Sequence, residues 1–534
     1  MKAIRAHQLL LPLLALALVA CDPAKKTTST PGKDDGIIEV TLLQINDVYE
    51  ISPTPSDNIG GLARVATIRK ELLARNPNTL TVLAGDFISP SVIGTLKHEG
   101  KRIRGKQMVE VLNALGLDMT VFGNHEFDYS DLPDLQARLD ESNFTWFGAN
   151  ARLRNPEPNT LSPMTAFFKN RDGARQPCPD NQVFALKDAD GTTLNLGVFG
   201  VLINTGRQPW VEYTDYLATA KLQFAQLKPK SDVVLALTHL ALEDDQKLAA
   251  ALPEIPLVVG GHEHENHFEK VGNVVIAKAD ANAKTVYVHT LRYDKNKKTC
   301  SVKSELRRVN SSIADEPATA AVVAKWEKIK NESLASSGFN PSAVVTQLRE
   351  PLDCREITVR YKQAPVGAMI TNAMLNTGND RLDCALFNGG SIRVDDILTG
   401  TLTELDVVRM LPFGGAIVEA QMRGSLLRRT LDTGLSNKGN GGFLQHGRIS
   451  QNAAGQWLVS GTPLDDSKTY WVMLPEFLLT GNEQNMGFLK ASANADGKGT
   501  TNADILKINK ADPKNKNDLR NDIRLVLIAA LRKK

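Results

Sequence analysis

At 534 residues the chain is too long for one ordinary hydrophobic core, and two domains plus connections are expected. With 42% hydrophobic and 23% charged residues it has the composition of a soluble globular protein. A net charge of +3 leaves no electrostatic footprint for nucleic acid, so no nucleic-acid partner is expected.

Residues 1–20 combine a basic start (Lys2, Arg5) with an apolar stretch from Leu9 and end in Leu18-Val19-Ala20 before Cys21. This is the pattern of a secretory signal, too short for a comfortable membrane span. The small residues before Cys21 resemble the lipobox of bacterial lipoproteins. That resemblance implies lipidation of Cys21 and an exported protein anchored to the bacterial membrane, facing the periplasm or the cell exterior. An ordinary cleaved leader with an incidental cysteine is the alternative. Residues 22–36, rich in Lys, Thr, Pro and Gly, read as a flexible tether. Export also frames Cys178, Cys300, Cys354 and Cys384: an even number in an oxidising compartment leads to the expectation of one or two disulfides, with three full pairings open.

From residue 37 to residue 308 apolar strands alternate with helical segments. Leu62, Val65, Ile68 and Leu72 recur at helical spacing over 61–75, and Met108, Val111, Leu112 and Leu115 do so over 106–115. The pattern predicts a layered α/β domain with sheet inside and helices outside. The polar, proline-rich segment 152–190 reads as an excursion from that core.

Five short apolar runs in this domain end abruptly in ligand chemistry. They lead into Asn46-Asp47, Gly85-Asp86, Gly123-Asn124-His125-Glu126-Phe127-Asp128, Thr238-His239 and Gly260-Gly261-His262-Glu263-His264. A lone histidine in a turn is usually a surface residue, but the chain has only 9 His, and His125, His239, His262 and His264 all lie here. Sites in α/β sheets form at the carboxyl ends of strands, so these five ends can converge. Carboxylate, amide oxygen and imidazole together suit Zn, Mn or Fe rather than a metal that seeks thiolate.

In this order the five blocks resemble the calcineurin-like metallophosphoesterases. The resemblance implies a four-layer sandwich and two divalent cations (Zn, Mn, Fe, Co or Mg) about 3.5–4 Å apart that activate hydroxide for in-line attack on phosphorus. Carried over position by position, it implies Asp86 as the bridge, Asp47 and His264 on the first metal, and Asn124, His239 and His262 on the second. His125 falls beside the leaving group as acid or electrostatic stabiliser, with Asp128 orienting its ring. Glu126 reads as a supporting residue. Where exported nucleotidases have Asp-x-His, this chain has Asp47-Val48-Tyr49. Tyr49 either packs beside the first metal or ligates it as a phenolate, and both readings stay open.

Residues 309–340 read as a connector in which Pro317 opens a helix. In residues 341–534 a helical stretch over 364–375 precedes Asn388-Gly389-Gly390-Ser391-Ile392-Arg393, Leu411-Pro412-Phe413-Gly414-Gly415, Gly442-Phe443-Leu444-Gln445 and Leu474-Pro475-Glu476-Phe477-Leu478. Singly these are turns and core; together they resemble the smaller α/β substrate domain of the 5'-nucleotidases. The resemblance implies a nucleobase stacked between Phe443 and Phe477, nucleotide contacts from Asn388 and Arg393, a ribose contact from Glu483, and a further arginine near Arg381. Stacking accepts any base.

The resulting expectation is an exported two-metal phosphohydrolase that removes phosphate from nucleoside 5'-monophosphates, with UDP-sugars and other nucleotide pyrophosphates as further substrates. The alternatives are a 2',3'-cyclic phosphodiesterase with 3'-nucleotidase activity, and a nucleotide-binding lipoprotein whose catalysis has lapsed.

Overall fold

The computed structural model describes residues 34–54, 58–129, 131–155, 157, 159–167, 175–204, 208–494 and 499–533. The expected signal sequence, Cys21 and most of the expected tether lie outside the described residues. Among those described, no helix is long and apolar enough to cross a membrane.

Two six-stranded sheets form the first domain. In the first, Ile37–Ile45, Thr79–Leu83, Met119–Val121 and Thr145–Phe147 run parallel, and Thr285–Asp294 and Thr299–Arg308 extend the sheet antiparallel beyond Ile37–Ile45. The second has Thr193–Leu202, Val233–His239, Leu257–Gly260 and Val274–Lys278 in parallel, with antiparallel edges Asn181–Lys187 and His267–Val271. Strands buried on both faces read as continuous apolar runs, and Val233–His239 is buried at every position. Between the sheets lies one apolar layer, in which Val40, Leu42 and Tyr287 meet Leu196, Leu235 and Val259. The outer face of the first sheet is covered by Leu62–Arg75, Lys106–Leu115 and the connector helix Pro317–Ser336, whose Trp326 is fully buried there. Tyr216–Leu227 and Leu242–Ala251 cover the second. The result is the four-layer order helix, sheet, sheet, helix.

Segment 152–190 is more than an excursion. It begins with small surface strands, but Asn181–Lys187 pairs residue for residue with Thr193–Leu202 and closes the edge of the second sheet. Its mixed polar composition is what an edge strand, half exposed, tolerates.

The second domain is a five-stranded sheet in the order Leu444–Gly447, Cys384–Asn388, Thr469–Pro475, Ile417–Arg423, Ile505–Asn509. Pro365–Thr377 and Ile523–Arg532 pack on one face, and Gly424–Ser436 on the other. The expected disulfides are absent: Cys178, Cys300, Cys354 and Cys384 are all free thiols. Each belongs to a different apolar cluster, so none stands next to another. Their even number was no guide, because apolar burial accounts for Cys178, Cys354 and Cys384, and Cys300 lies half exposed on the edge strand Thr299–Arg308.

Candidate active site

The parallel register holds the functional strand ends level, with Ile45 opposite Leu83, Leu83 opposite Thr120, and Thr238 opposite Gly260. The loops that follow are strained. Asp47, Asp86, His262 and His264 have φ of 52°, 57°, 96° and 62°, in the left-handed region that costs a side-chain-bearing residue energy and that concentrates at working sites. Crowding explains the glycines among them: a Cβ on Gly123 would collide with Asp86 Oδ1, and one on Gly261 with the Ala84 carbonyl. Glu126 braces the loops from inside. Its buried carboxylate accepts backbone N–H groups from Asp86 (2.9 Å), Phe87 (2.9 Å), Ile88 (3.2 Å) and Gly123 (2.6 Å). Burial, helped by Asp86, pushes its pKa up to about 7. Asn46 is a second brace, its amide exchanging two hydrogen bonds with the backbone of Ala279.

Two groups of side chains have ligand atoms within 4.8 Å of one another: Asp86 with His239 and His262, and Asp47 with Asp86 and His264. Asp86 belongs to both. Asn124 Oδ1 lies 3.1 Å from His239 Nε2 and 3.1 Å from His262 Nδ1, so the amide joins the first group. The backbone decides which imidazole nitrogen is free: His239 Nδ1–H donates to the Ala84 carbonyl at 2.8 Å and leaves the lone pair of Nε2 facing the cluster. Asp47 Oδ1 is buried without a hydrogen bond, its nearest cationic neighbour being His264 Nε2 at 3.4 Å, a costly arrangement that a bound cation would relieve. Burial opposes ionisation of Asp47 and Asp86, yet His264 beside the one and His239 beside the other hold both below the usual carboxylate range. Burial also disfavours the charged form of His239, but Asp86 outweighs it and raises the pKa to about 9. His262 is pushed down to about 4, chiefly by burial. An orphaned carboxylate oxygen among carboxylate, amide and imidazole groups fits two divalent ions, with Asp86 common to both groups.

His125 stands at the rim. Its Nδ1 is 2.8 Å from Asp128 Oδ2, which also accepts the Ser89 hydroxyl at 2.9 Å, and its Nε2 is 3.9 Å from Asp86 Oδ2. The Tyr49 hydroxyl lies 3.2 Å from Asp86 Oδ2 and 3.0 Å from His264 Nε2, inside the cluster rather than beside it. Burial and the neighbouring Asp86 raise its pKa well above the ordinary phenol value, which keeps it protonated while no cation is bound.

The second domain closes the cleft from above. Arg393 is buried and reaches Asp128 Oδ2 at 3.4 Å and Glu356 Oε1 at 3.2 Å, while its Nε has no partner. Asn388 Nδ2 donates to Glu483 Oε2 at 2.7 Å, which joins two of the expected nucleotide contacts. Two expectations need correcting. Arg381 sits at the opposite end of the strand Cys384–Asn388 from Asn388 and lies over the Trp471 ring, so it is not in this cleft. Phe443 is only 4% exposed, and its carbonyl is fixed by the Gly389 N–H, whereas Phe413 is 58% and Phe477 44% exposed. Phe413 and Phe477 flank the same end of two paired strands, because Ile417 pairs with Pro475 and the Glu476 N–H donates to the Ala416 carbonyl at 2.9 Å. A ring must have a free face to stack, and these two have one. Sequence reading also passed over Arg355, Glu356, Arg360 and Asp395. Arg360 pairs with Glu356, Arg355 with Glu265 and Asp395 with His264. The dense Asp353-Cys354-Arg355-Glu356 run ahead of the helix was the available signal, but charges at a helix start ordinarily read as solvated surface.

This site, at the strand ends of a layered sandwich, defines a hydrolase of the metal-dependent phosphoesterase class. Residues 40–266 match the calcineurin-like phosphoesterase model, and residues 343–490 match the 5'-nucleotidase C-terminal domain model. The chain is 26% identical to the human 5'-nucleotidase over 510 residues, covering 84% of each. It is 26% identical to a trifunctional nucleotide phosphoesterase of Bacillus subtilis over 448 residues, covering 76% of this chain and 28% of that one. In structure it resembles a 5'-nucleotidase precursor from Thermus thermophilus, with a TM-score of 0.67 at 21% identity over 93% of this chain and 96% of the other. The chain is a calcineurin-like metallophosphoesterase domain fused to a 5'-nucleotidase C-terminal domain, the architecture of the 5'-nucleotidase family.

Proposed function

We propose that the protein hydrolyses nucleoside 5'-monophosphates to nucleoside and phosphate outside the cytoplasm, held to the bacterial membrane through Cys21. The observation that carries this reading is the facing of two unlike half-sites: the Asp47, Asp86, His264 and Asp86, His239, His262 groups below, and Arg393 with Asn388 and Glu483 above. Asp47 and His264 would hold the first ion and Asn124, His239 and His262 the second, with Asp86 available to both. When bound, the two ions activate the attacking water and offset charge on the phosphoryl oxygens. Asp128 fixes Nδ1–H of His125 so that Nε2 faces the phosphoester, where it gives a proton to the departing ribose oxygen or stabilises its charge. Arg393 brings a guanidinium whose fork suits phosphate oxygens. Phe413 and Phe477 offer faces to the base, Glu483 and Asn388 hydrogen bonds to the sugar. Apolar stacking outside and charge inside would let the two ends of one nucleotide be read by different chemistry.

The test is phosphate release from nucleoside 5'-, 3'- and 2',3'-cyclic phosphates and UDP-sugars, each with Mn, Zn, Mg, Co or chelator. Highest kcat/KM on 5'-monophosphates, abolished by chelator, is the expected result. Preference for the cyclic and 3' substrates would give the runner-up reading, and binding without turnover would make the protein a lapsed nucleotide carrier.

A further inference from the structure

His264 is held from the other domain. Its Nε2 faces Asp47 Oδ1 at 3.4 Å and the Tyr49 hydroxyl at 3.0 Å, while Nδ1 donates to Oδ2 of Asp395. Among the described residues, the other imidazoles of the two groups take their contacts from the first domain: His239 from Ala84, His262 from Asn124. Asp395 is placed for this contact. It is half-buried against the first domain, its backbone has φ of 41°, and its second oxygen accepts the Glu356 N–H at 2.5 Å, which fixes the plane of the carboxylate. On either side, Lys284 pairs with Asp396 and Glu265 with Arg355, so the contact is flanked by two further ion pairs across the boundary. The first-domain loop that carries these contacts is also tied to the ligands: the Asn282 N–H donates to the Asp47 carbonyl at 2.9 Å, and the Ala281 N–H to the His264 carbonyl at 3.0 Å.

An imidazole that binds a metal through one nitrogen keeps its proton on the other, and a carboxylate on that proton fixes the tautomer, aims the ring and raises its basicity. Losing such a partner costs about 10–100-fold in metal affinity. Here the partner comes with the second domain. We infer that Asp395 is a positioning residue for the first metal site, so that loading of the ion held by Asp47, Asp86 and His264 and docking of the second domain on the first favour one another. The coupling is reciprocal by necessity: whatever strengthens docking tightens the ion, and the ion strengthens docking by the same factor. The ion reached through Asn124, His239 and His262 has no such link and stays bound when the domains part. This inference rests on the two-ion reading of the site.

The experiment titrates Mn²⁺ into chelator-stripped full-length protein by calorimetry, with small-angle scattering on the same samples. Wild type is expected to take up two ions and to contract as the weaker is loaded. Asp395→Ala is expected to bind one ion as wild type does and the other about 10–100-fold more weakly. At Mn²⁺ concentrations that saturate wild type alone, the variant should not contract. Asp395→Asn keeps an acceptor of the same shape, tolerates the left-handed backbone and should show a smaller loss in the same ion. A merely structural residue would lower the melting temperature of the stripped variants and leave both affinities equal to wild type, and that result overturns the inference. Wild type that binds fewer than two ions overturns the two-ion reading, and this inference with it.

Discussion

Arg393 Nη2 lies 3.4 Å from Oδ2 of Asp128, the same oxygen that faces His125 Nδ1 at 2.8 Å. A guanidinium only donates, and the same Nη2 stands 3.1 Å from His125 Nδ1, so Arg393 reaches both members of the pair and the His125 ring is met from two domains at once. The residue proposed to handle the leaving group is therefore held by Asp128 of its own domain and met by Arg393 from the second.

Asp86 and His125 separate metal binding from proton handling. Asp86→Ala removes the carboxylate common to both ligand groups, and loss of bound metal together with loss of turnover is expected. His125→Ala should keep metal content at the wild-type level and slow turnover by roughly 10²–10⁴-fold. Elemental analysis and steady-state rates on both variants decide. A His125 variant stripped of metal would contradict the assignment.

The exposed rings make a substrate-specific prediction. Phe413→Ala and Phe477→Ala should each lower kcat/KM for AMP by a factor that corresponds to about 1–3 kcal/mol of stacking, and leave p-nitrophenyl phosphate hydrolysis nearly unchanged. Phe443→Ala should behave differently, costing about 3–5 kcal/mol of stability and depressing both substrates together. The measured quantity is the ratio of the two kcat/KM values on variants that melt cooperatively.

His289 gives a pH prediction independent of the metals. It is buried between the sheets, with Nε2–H donating to Gln44 Oε1 at 2.8 Å and Nδ1 2.7 Å from the Ser304 hydroxyl. Burial lowers its pKa to about 3 from the ordinary 6.5. The unfolded chain therefore takes up a proton that the folded one refuses, so this contribution to stability is complete above pH 6.5 and declines as pH falls toward 3. At pH 5 the loss from this residue is about 2 kcal/mol, at 1.36 kcal/mol per pH unit below 6.5. Denaturant melts of wild type and His289→Gln between pH 7 and 4 should show a shallower acid decline in the variant.

Cys21→Ser tests the anchor. Wild type should pellet with membranes, and the variant should be soluble or remain as uncleaved precursor, because stable anchoring needs more than one acyl chain and a serine offers no thiol for the first. Identical fractionation of the two would leave only an ordinary leader.

The sequence by itself determined the catalytic half of this protein. Each candidate ligand follows an apolar run, so Asp47, Asp86, Asn124, His239 and His262 were legible as a group from strand ends, and parallel pairing then had to bring those ends together. The substrate half was decided by tertiary structure. Phe413 and Phe443 sit in equally motif-like surroundings, and only the fold leaves Phe413 and Phe477 exposed at matching ends of two paired strands while Phe443, its carbonyl held by the Gly389 N–H, is buried. The same holds for Arg381, removed from the cleft by the length of one strand, and for the four cysteines, distributed among separate cores. The Asp47-Val48-Tyr49 pattern put Tyr49 near the site, but only the fold shows its hydroxyl reaching Asp86 and His264. Contacts such as Asp395 with His264 join residues more than a hundred positions apart on two domains. Periodicity encodes which face of an element is buried, not which other element covers it, and so the pairing of the two half-sites appears only when both domains are folded and docked.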